Sequence, residues 1–564
     1  MLTVGWLESA ISTQSLENSS MGWVFVRVGS LSTLTAIVLA CLTVEPATAA
    51  PSARKIAQRV DQALAEEVFD EQAKLAPRCD DATFLRRVWL DLVGDIPAPE
   101  DVIAFQLDPS ANKRARIVRQ LFASPHYGQN WARYWRDVVF FRRIEDRSLL
   151  AANAMEVDLA EQLNANVGWD KIASEFITAS GDVRDNGSTA IVMAQDGRTE
   201  EVTAEVSRIF LGIHLQCAQC HDHPYDRWKR EQFHELAAFF PRVGLRQLQS
   251  PVRRSFEVYA SNRDRGRLRP NDNNSRPAPE HLMRDLEDPS APGAKMQPKF
   301  FLTSGASLPL GTEDARRRQQ LAQWLTDNQW FSIALVNRLW SELVGEGFYE
   351  PIDDIGPDRQ ALSPAAVKLL AYSFRKNEYN LKWLLRTICS TEAYQRDSRP
   401  RRGPEGTALT ANVPQPLRSD QLFNALLSAL EVDEDSLGPN SRAAGARRRE
   451  TRRMQFAAVF GYDPSISREE IAASIPQMLA LMNSDQVHRG ISAETNRTMA
   501  RLLDTVEDEE ALTVELYLRC LSRQPTEAEL TEVFFYSQEV DNRREVFEDL
   551  LWALLNSAEF QHRR

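Results

Sequence analysis

The sequence predicts an all-α, predominantly helical protein, with two main helical domains joined by an irregular linker. Three observations predict it. Apolar residues recur at helical spacing in block after block, strand-like alternation is scarce, and the stretch from about 250 to 300 loses both patterns. A chain of 564 residues is too long for one core, and the size prior gives it about two to four domains.

The amino end comes first. From Met21, "MGWVFVRVGSLSTLTAIVLACLTVEPATAAPSA" carries one positive charge at Arg27, an apolar run from Leu31 to Val44, and the small-residue site Ala47-Thr48-Ala49 before Ala50. This reads as an export signal over 1–49, with the residues before Met21 an upstream start-site extension. The run is too short and too rich in Ser and Thr for a membrane span. Val38-Leu39-Ala40-Cys41 resembles a lipoprotein cleavage box, so the membrane contact expected is a lipid anchor at Cys41. The mature protein is expected outside the cytoplasm, in the periplasm or at the cell surface.

The first helical domain is expected over 50–250. In "DDATFLRRVWLDLVGDIP", Phe84, Leu85, Val88, Trp89 and Leu92 follow a 3.6-residue period, with Asp81 able to cap the start and Gly94 and Pro97 ending it. Pro99 opens a second helix and "ANKRARIVRQLFASP" supplies a third that stops before Pro125. Trp131, Tyr134, Trp135, Val138 and Val139 then form one stripe, as core aromatics do. Val202, Val206, Ile209, Phe210 and Ile213 mark a helix that ends at a cysteine motif, and Phe233, Ala237 and Phe240 resume helical spacing after it.

Residues 251–305, rich in Arg, Asn, Asp and Pro, read as a linker or long surface loop. The second helical domain is expected over 306–564. Leu335, Val336, Leu339, Trp340 and Leu343 mark one of its helices, Ser363-Pro364 opens another, and an irregular break near 396–416 precedes a helical carboxy-terminal part.

The chemistry concentrates in "CAQCHDHPYDRW", residues 217–228. Cys217, Cys220 and His221 spell C-x-x-C-H, the spacing at which two thiols bond to the vinyl groups of haem c and the histidine ligates its iron. The same residues could instead hold zinc or iron, close a small disulfide or serve a thiol redox cycle. A haem attachment needs nothing after His221, whereas Asp222, His223 and Asp226 add ligands typical of a non-haem zinc or iron site. For a distal haem ligand the candidates are His126, Met155 and Met193; His214 lies too near the attachment. Cys79, Cys389 and Cys520 are far apart and read as buried small residues.

Several stretches carry a resemblance. "FLRRVWLDLVGDIPAPEDVIAF", "LFASPHYGQNWARYWRDV" and "FLGIHLQCAQCHDHPYDRWKREQFHELAAFF" resemble the cytochrome-like domain of large exported planctomycete proteins. "RRRQQLAQWLTDNQWFSIALVNRLWSELVGEGFYEPIDDIG", "LKWLLRTICSTEAYQRDS", "IPQMLALMNS" and "LYLRCLSRQPTEAEL" resemble the partner domain that follows it. Both are domains of unknown function. The resemblance implies an exported protein and hints at a polysaccharide partner; the C-x-x-C-H motif predicts a c-type haem for electron transfer or other redox chemistry with a redox partner protein, and the rival reading is a non-haem metal protein that binds or processes polysaccharide or scaffolds the cell envelope.

Other candidates form a polar group, Asp353 and Asp354 with Asn337 and Arg338. Paired carboxylates can bind a cation or divide acid and base roles, but they also cap helices and pair with arginine. With 67 Lys and Arg against 79 Asp and Glu, the net charge of -12 gives no basic field for nucleic acid. No G-x-S-x-G elbow, phosphate loop or H-E-x-x-H motif is present, so no standard hydrolase or nucleotide enzyme is argued.

Overall fold

Asp80 accepts a hydrogen bond from the Thr83 amide at 2.7 Å and so starts the helix Asp81–Val93, one residue before the expected cap. Asp81 sits in the first turn and pairs with Lys113 and Arg114. The periodic stretches that follow fold as read: Pro99–Leu107, Lys113–Leu121 and His126–Phe140, the last burying Trp131, Tyr134, Trp135, Val138 and Val139. Trp135 stacks on Trp169 with ring centroids 4.4 Å apart. The protein is predominantly helical. These features belong to a computed structural model that describes residues 52–249, 254–262, 279–288, 290–400, 408–433, 445–466 and 475–564. The expected export signal and Cys41 lie outside the described residues.

Two apolar clusters build the interior. The larger runs from Ile56 through the helix Gln329–Val344, whose buried residues surround it on all sides, to Leu409, with Leu518 joining. The smaller gathers Leu417, Leu426, Leu516, Phe547 and Phe560 with Leu90 and Ile96 from the first half. The expected break near 396–416 thus falls where one cluster gives way to the other. The blocks before and after the expected linker share the larger cluster. The helix Ala53–Glu67 packs on Pro364–Lys376 and Leu381–Cys389, and Ser363 Oγ donates to the Glu67 carboxylate, 296 residues earlier.

Part of the expected linker is built into the fold. Ser255–Ala260 is the central strand of an antiparallel sheet, flanked by Val243–Leu248 and Gly181–Asp182. Its alternating Phe256 and Val258 are buried, a two-residue period that the polar surroundings hide. Leu282–Met283 pairs with Ala294–Lys295, and residues 263–278 lie outside the described residues. No described helix is long and apolar enough to cross a membrane.

Candidate functional site

The cysteine motif follows the helix Thr199–Leu211, which buries Val202, Val206, Ile209 and Phe210 and stops at Gly212 in the left-handed region, φ 64°. A Cβ at Gly212 would lie 2.8 Å from Ile355 Cδ1, so only glycine permits both this turn and this approach. The chain then tightens into a 3-10 turn, Leu215–Gln219. With three residues per turn, positions i and i+3 share an edge. Leu215 and Ala218 occupy the buried edge, and Cys217 and Cys220 the exposed one. Both thiols are free. His221 is exposed as well, with Nδ1 2.7 Å from the Asp222 carbonyl. A neutral ring that donates from Nδ1 keeps its lone pair on Nε2, the arrangement of a metal-binding histidine oriented by its backbone.

The residues after His221 brace the loop. Asp222 accepts the Arg230 amide at 3.0 Å and Lys229 Nζ at 2.9 Å, which anchors the start of the helix Arg230–Ala237. The Lys229 hydrogen bond lowers the Asp222 carboxyl pKa. His223 donates its amide to the Trp228 carbonyl at 2.8 Å, and its Nδ1 accepts the Tyr225 amide. Asp226 accepts the Arg227 amide, and its other oxygen stands 4.0 Å from Arg359. Trp228 is buried edge-on to Phe301. The rival non-haem ligands Asp222, His223 and Asp226 are thus engaged separately. Among the described residues no three His, Cys, Asp or Glu side chains are grouped to hold a metal ion.

Beneath the motif lies a pair that the sequence did not single out. His234 Nε2 donates to the Gln219 carbonyl, between the two cysteines, at 3.1 Å. That leaves His234 Nδ1 to accept from His281 Nε2 at 2.8 Å. Both rings are buried. Burial lowers both pKa values, and for His281 the neighbouring His234 adds to the effect, bringing it to about 4. The only sequence signal for His234 was its place on the helix after the motif, and His281 lies inside the polar stretch read as linker.

The polar group of the second half is a joint. Arg208 donates to Asp353 at 2.7 Å, to Glu205 at 2.6 Å, to Ser465 at 2.8 Å and to the Val138 carbonyl at 2.9 Å. Arg338 bonds the other Asp353 oxygen and lies over the Trp135 ring. Burial pushes the Asp353 carboxyl up, but Arg338 and Arg208 together bring it down to about 2. Asn337 donates to the Tyr349 carbonyl and accepts the Tyr349 amide, which fixes the turn leading to Asp353. Asp354 lies nearer the surface, paired with Arg359 at 2.9 Å. Arginine thus takes both carboxylates.

The distal candidates stand on other elements of the first domain. His126 starts its helix beside Asp95, which in turn binds Ser428, and Met155 and Met193 are core residues. His214 is half-buried, with its pKa lowered by burial and then by Arg142. Cys79, Cys389 and Cys520 are buried, and burial pushes the Cys520 thiol up to about 12. A cavity of about 1060 Å³ between the helices bearing Arg136, Glu156 and Met454 is lined by none of the motif residues.

Fold and site define a helical protein whose exposed C-x-x-C-H loop is braced by its own second half. Residues 59–244 match the family model PSCyt2, described as a protein of unknown function (DUF1549), and residues 317–536 match PSD1, described as a protein of unknown function (DUF1553). The chain carries these two domains in that order. Searches of the curated proteins and of the solved structures return no match.

Proposed function

We propose that the protein is a c-type haem carrier working outside the cytoplasm, with Cys217 and Cys220 as thioether attachments and His221 as the proximal ligand. The observation that carries this reading is the shared exposed edge of the two thiols, next to an imidazole whose Nε2 is left free. Such a haem would supply reversible one-electron chemistry to a redox partner protein. The chain's own residues do the positioning. Leu215 and Ala218 anchor the turn, the Asp222 carbonyl orients the imidazole, and His234 holds the peptide between the cysteines from below. The apolar run from Leu31 to Val44 and the small residues at 47–49 support export, the compartment in which such attachment is made.

The test is the visible spectrum and pyridine haemochrome of the protein exported from a host with cytochrome c maturation machinery. One covalent haem per chain is expected, lost entirely in Cys217→Ser/Cys220→Ser. A colourless parent protein, or one with stoichiometric zinc, would sink the reading.

A further inference from the structure

We infer that the second domain sets the motif loop: Asp358 and Arg359 are positioning residues for the cysteines and histidine of the first. One short stretch, Ile355–Arg359, touches the loop at both ends. Before the motif, Ile355 donates its amide to the Gly212 carbonyl at 2.9 Å and lays its side chain where a Cβ on Gly212 would stand. After the motif, a Cβ on Gly356 would lie 3.6 Å from the Trp228 ring, and two Asp-Arg dipeptides meet: Asp226-Arg227 of the loop and Asp358-Arg359 of the second domain. Arg227 grips Asp358 with two parallel bonds, Nε to Oδ2 at 2.6 Å and Nη2 to Oδ1. Arg359 stands between Asp354 and Asp226. The Asp226 side chain is only 2% exposed although its loop faces solvent, so the crossing of the two dipeptides is packed as well as charged.

A loop tethered only within its own domain would move with its own turns. This one is bracketed by a stretch more than a hundred residues further on, the Arg227–Asp358 pair alone spanning 131. The second domain therefore adds a hold at both ends of the loop to the bonds that Asp222, His223 and His234 make within the first, and limits how far Cys217, Cys220 and His221 can shift. The inference deepens the haem reading but is tested without haem.

Hydrogen exchange of the full chain reads the loop directly. Asp358→Ala should speed exchange of amides 215–228 about fivefold, the scale of one surface ion pair, while amides 199–211 and the thermal midpoint stay unchanged. Arg227→Gln should do the same from the other side, and the swap Arg227→Asp with Asp358→Arg should restore the parent rate. In the maturation host, Asp358→Ala should lower haem yield at equal protein level, and the swap should recover it. Loop exchange within twofold of the parent in both single variants overturns the inference, as does acceleration spread evenly over the chain. A parent chain that takes no haem would sink the haem reading and leave the exchange result standing.

Discussion

Arg208 and Arg338 meet Asp353 with side-chain exposures of 2%, 2% and 8%; Arg227 meets Asp358 with 53% and 38%. Both contacts join the first half of the chain to the second, with the same pair of residue types. In the buried joint, desolvation is offset only because Glu205, Ser465 and the Val138 carbonyl complete the bonding of Arg208, so the arrangement has one geometry. At the loop, water shares the charges and the contact adjusts with little penalty. The buried polar group is thus a joint with fixed partners, and the motif keeps both thiols and its imidazole exposed.

The largest effect that would sharpen this contrast comes from the joint. Asp353→Ala leaves the buried Arg338 guanidinium without a carboxylate and Arg208 with Glu205 alone, and should lower stability by about 3–5 kcal/mol in chemical denaturation; a loss below about 1 kcal/mol would erase the distinction between the two contacts. The buried histidines come next. Their folded pKa values lie below the unfolded value, so their contribution is complete above about pH 6.5 and is lost as pH falls toward 4. The parent should lose up to about 3 kcal/mol over that window, and His281→Gln distinctly less. A parallel pH dependence in the two proteins would place the acid sensitivity elsewhere. Cys389→Ser, which buries a hydroxyl, should cost about 1–3 kcal/mol. Cys217→Ser and Cys220→Ser should stay within about 0.5 kcal/mol of the parent in the same titration. A large loss from either would mean that the motif is structural after all.

Much of this was legible in the sequence, for physical reasons. Helices that face one core show their period, so Phe84 to Leu92 and Trp131 to Val139 could be read directly. The exposed motif could be found because its chemistry depends on local spacing. The strand Ser255–Ala260 was missed because its burial alternates over few residues inside a polar stretch. His281 was missed because its partner, His234, lies 47 residues away and neither has a periodic signature. For Asp353 both roles were visible, and only the placement of Arg208, 145 residues earlier, separates them. Long-range pairing of polar groups leaves no local trace.

The helix Ala53–Glu67 finds its main cover on Pro364–Lys376 and Leu381–Cys389, and Arg563 closes on Asp91 across 472 residues. Synthesis runs the other way. A growing chain must carry the apolar face of Ile56, Val60 and Leu64 unsatisfied until most of it has emerged, and the Asp91 carboxylate waits for Tyr394 and then, much later, for Arg563. Folding of this protein is therefore expected to be slow and to finish late, with a prolonged need for chaperones and a window of exposure to proteases that a sequentially folding pair of domains would not have.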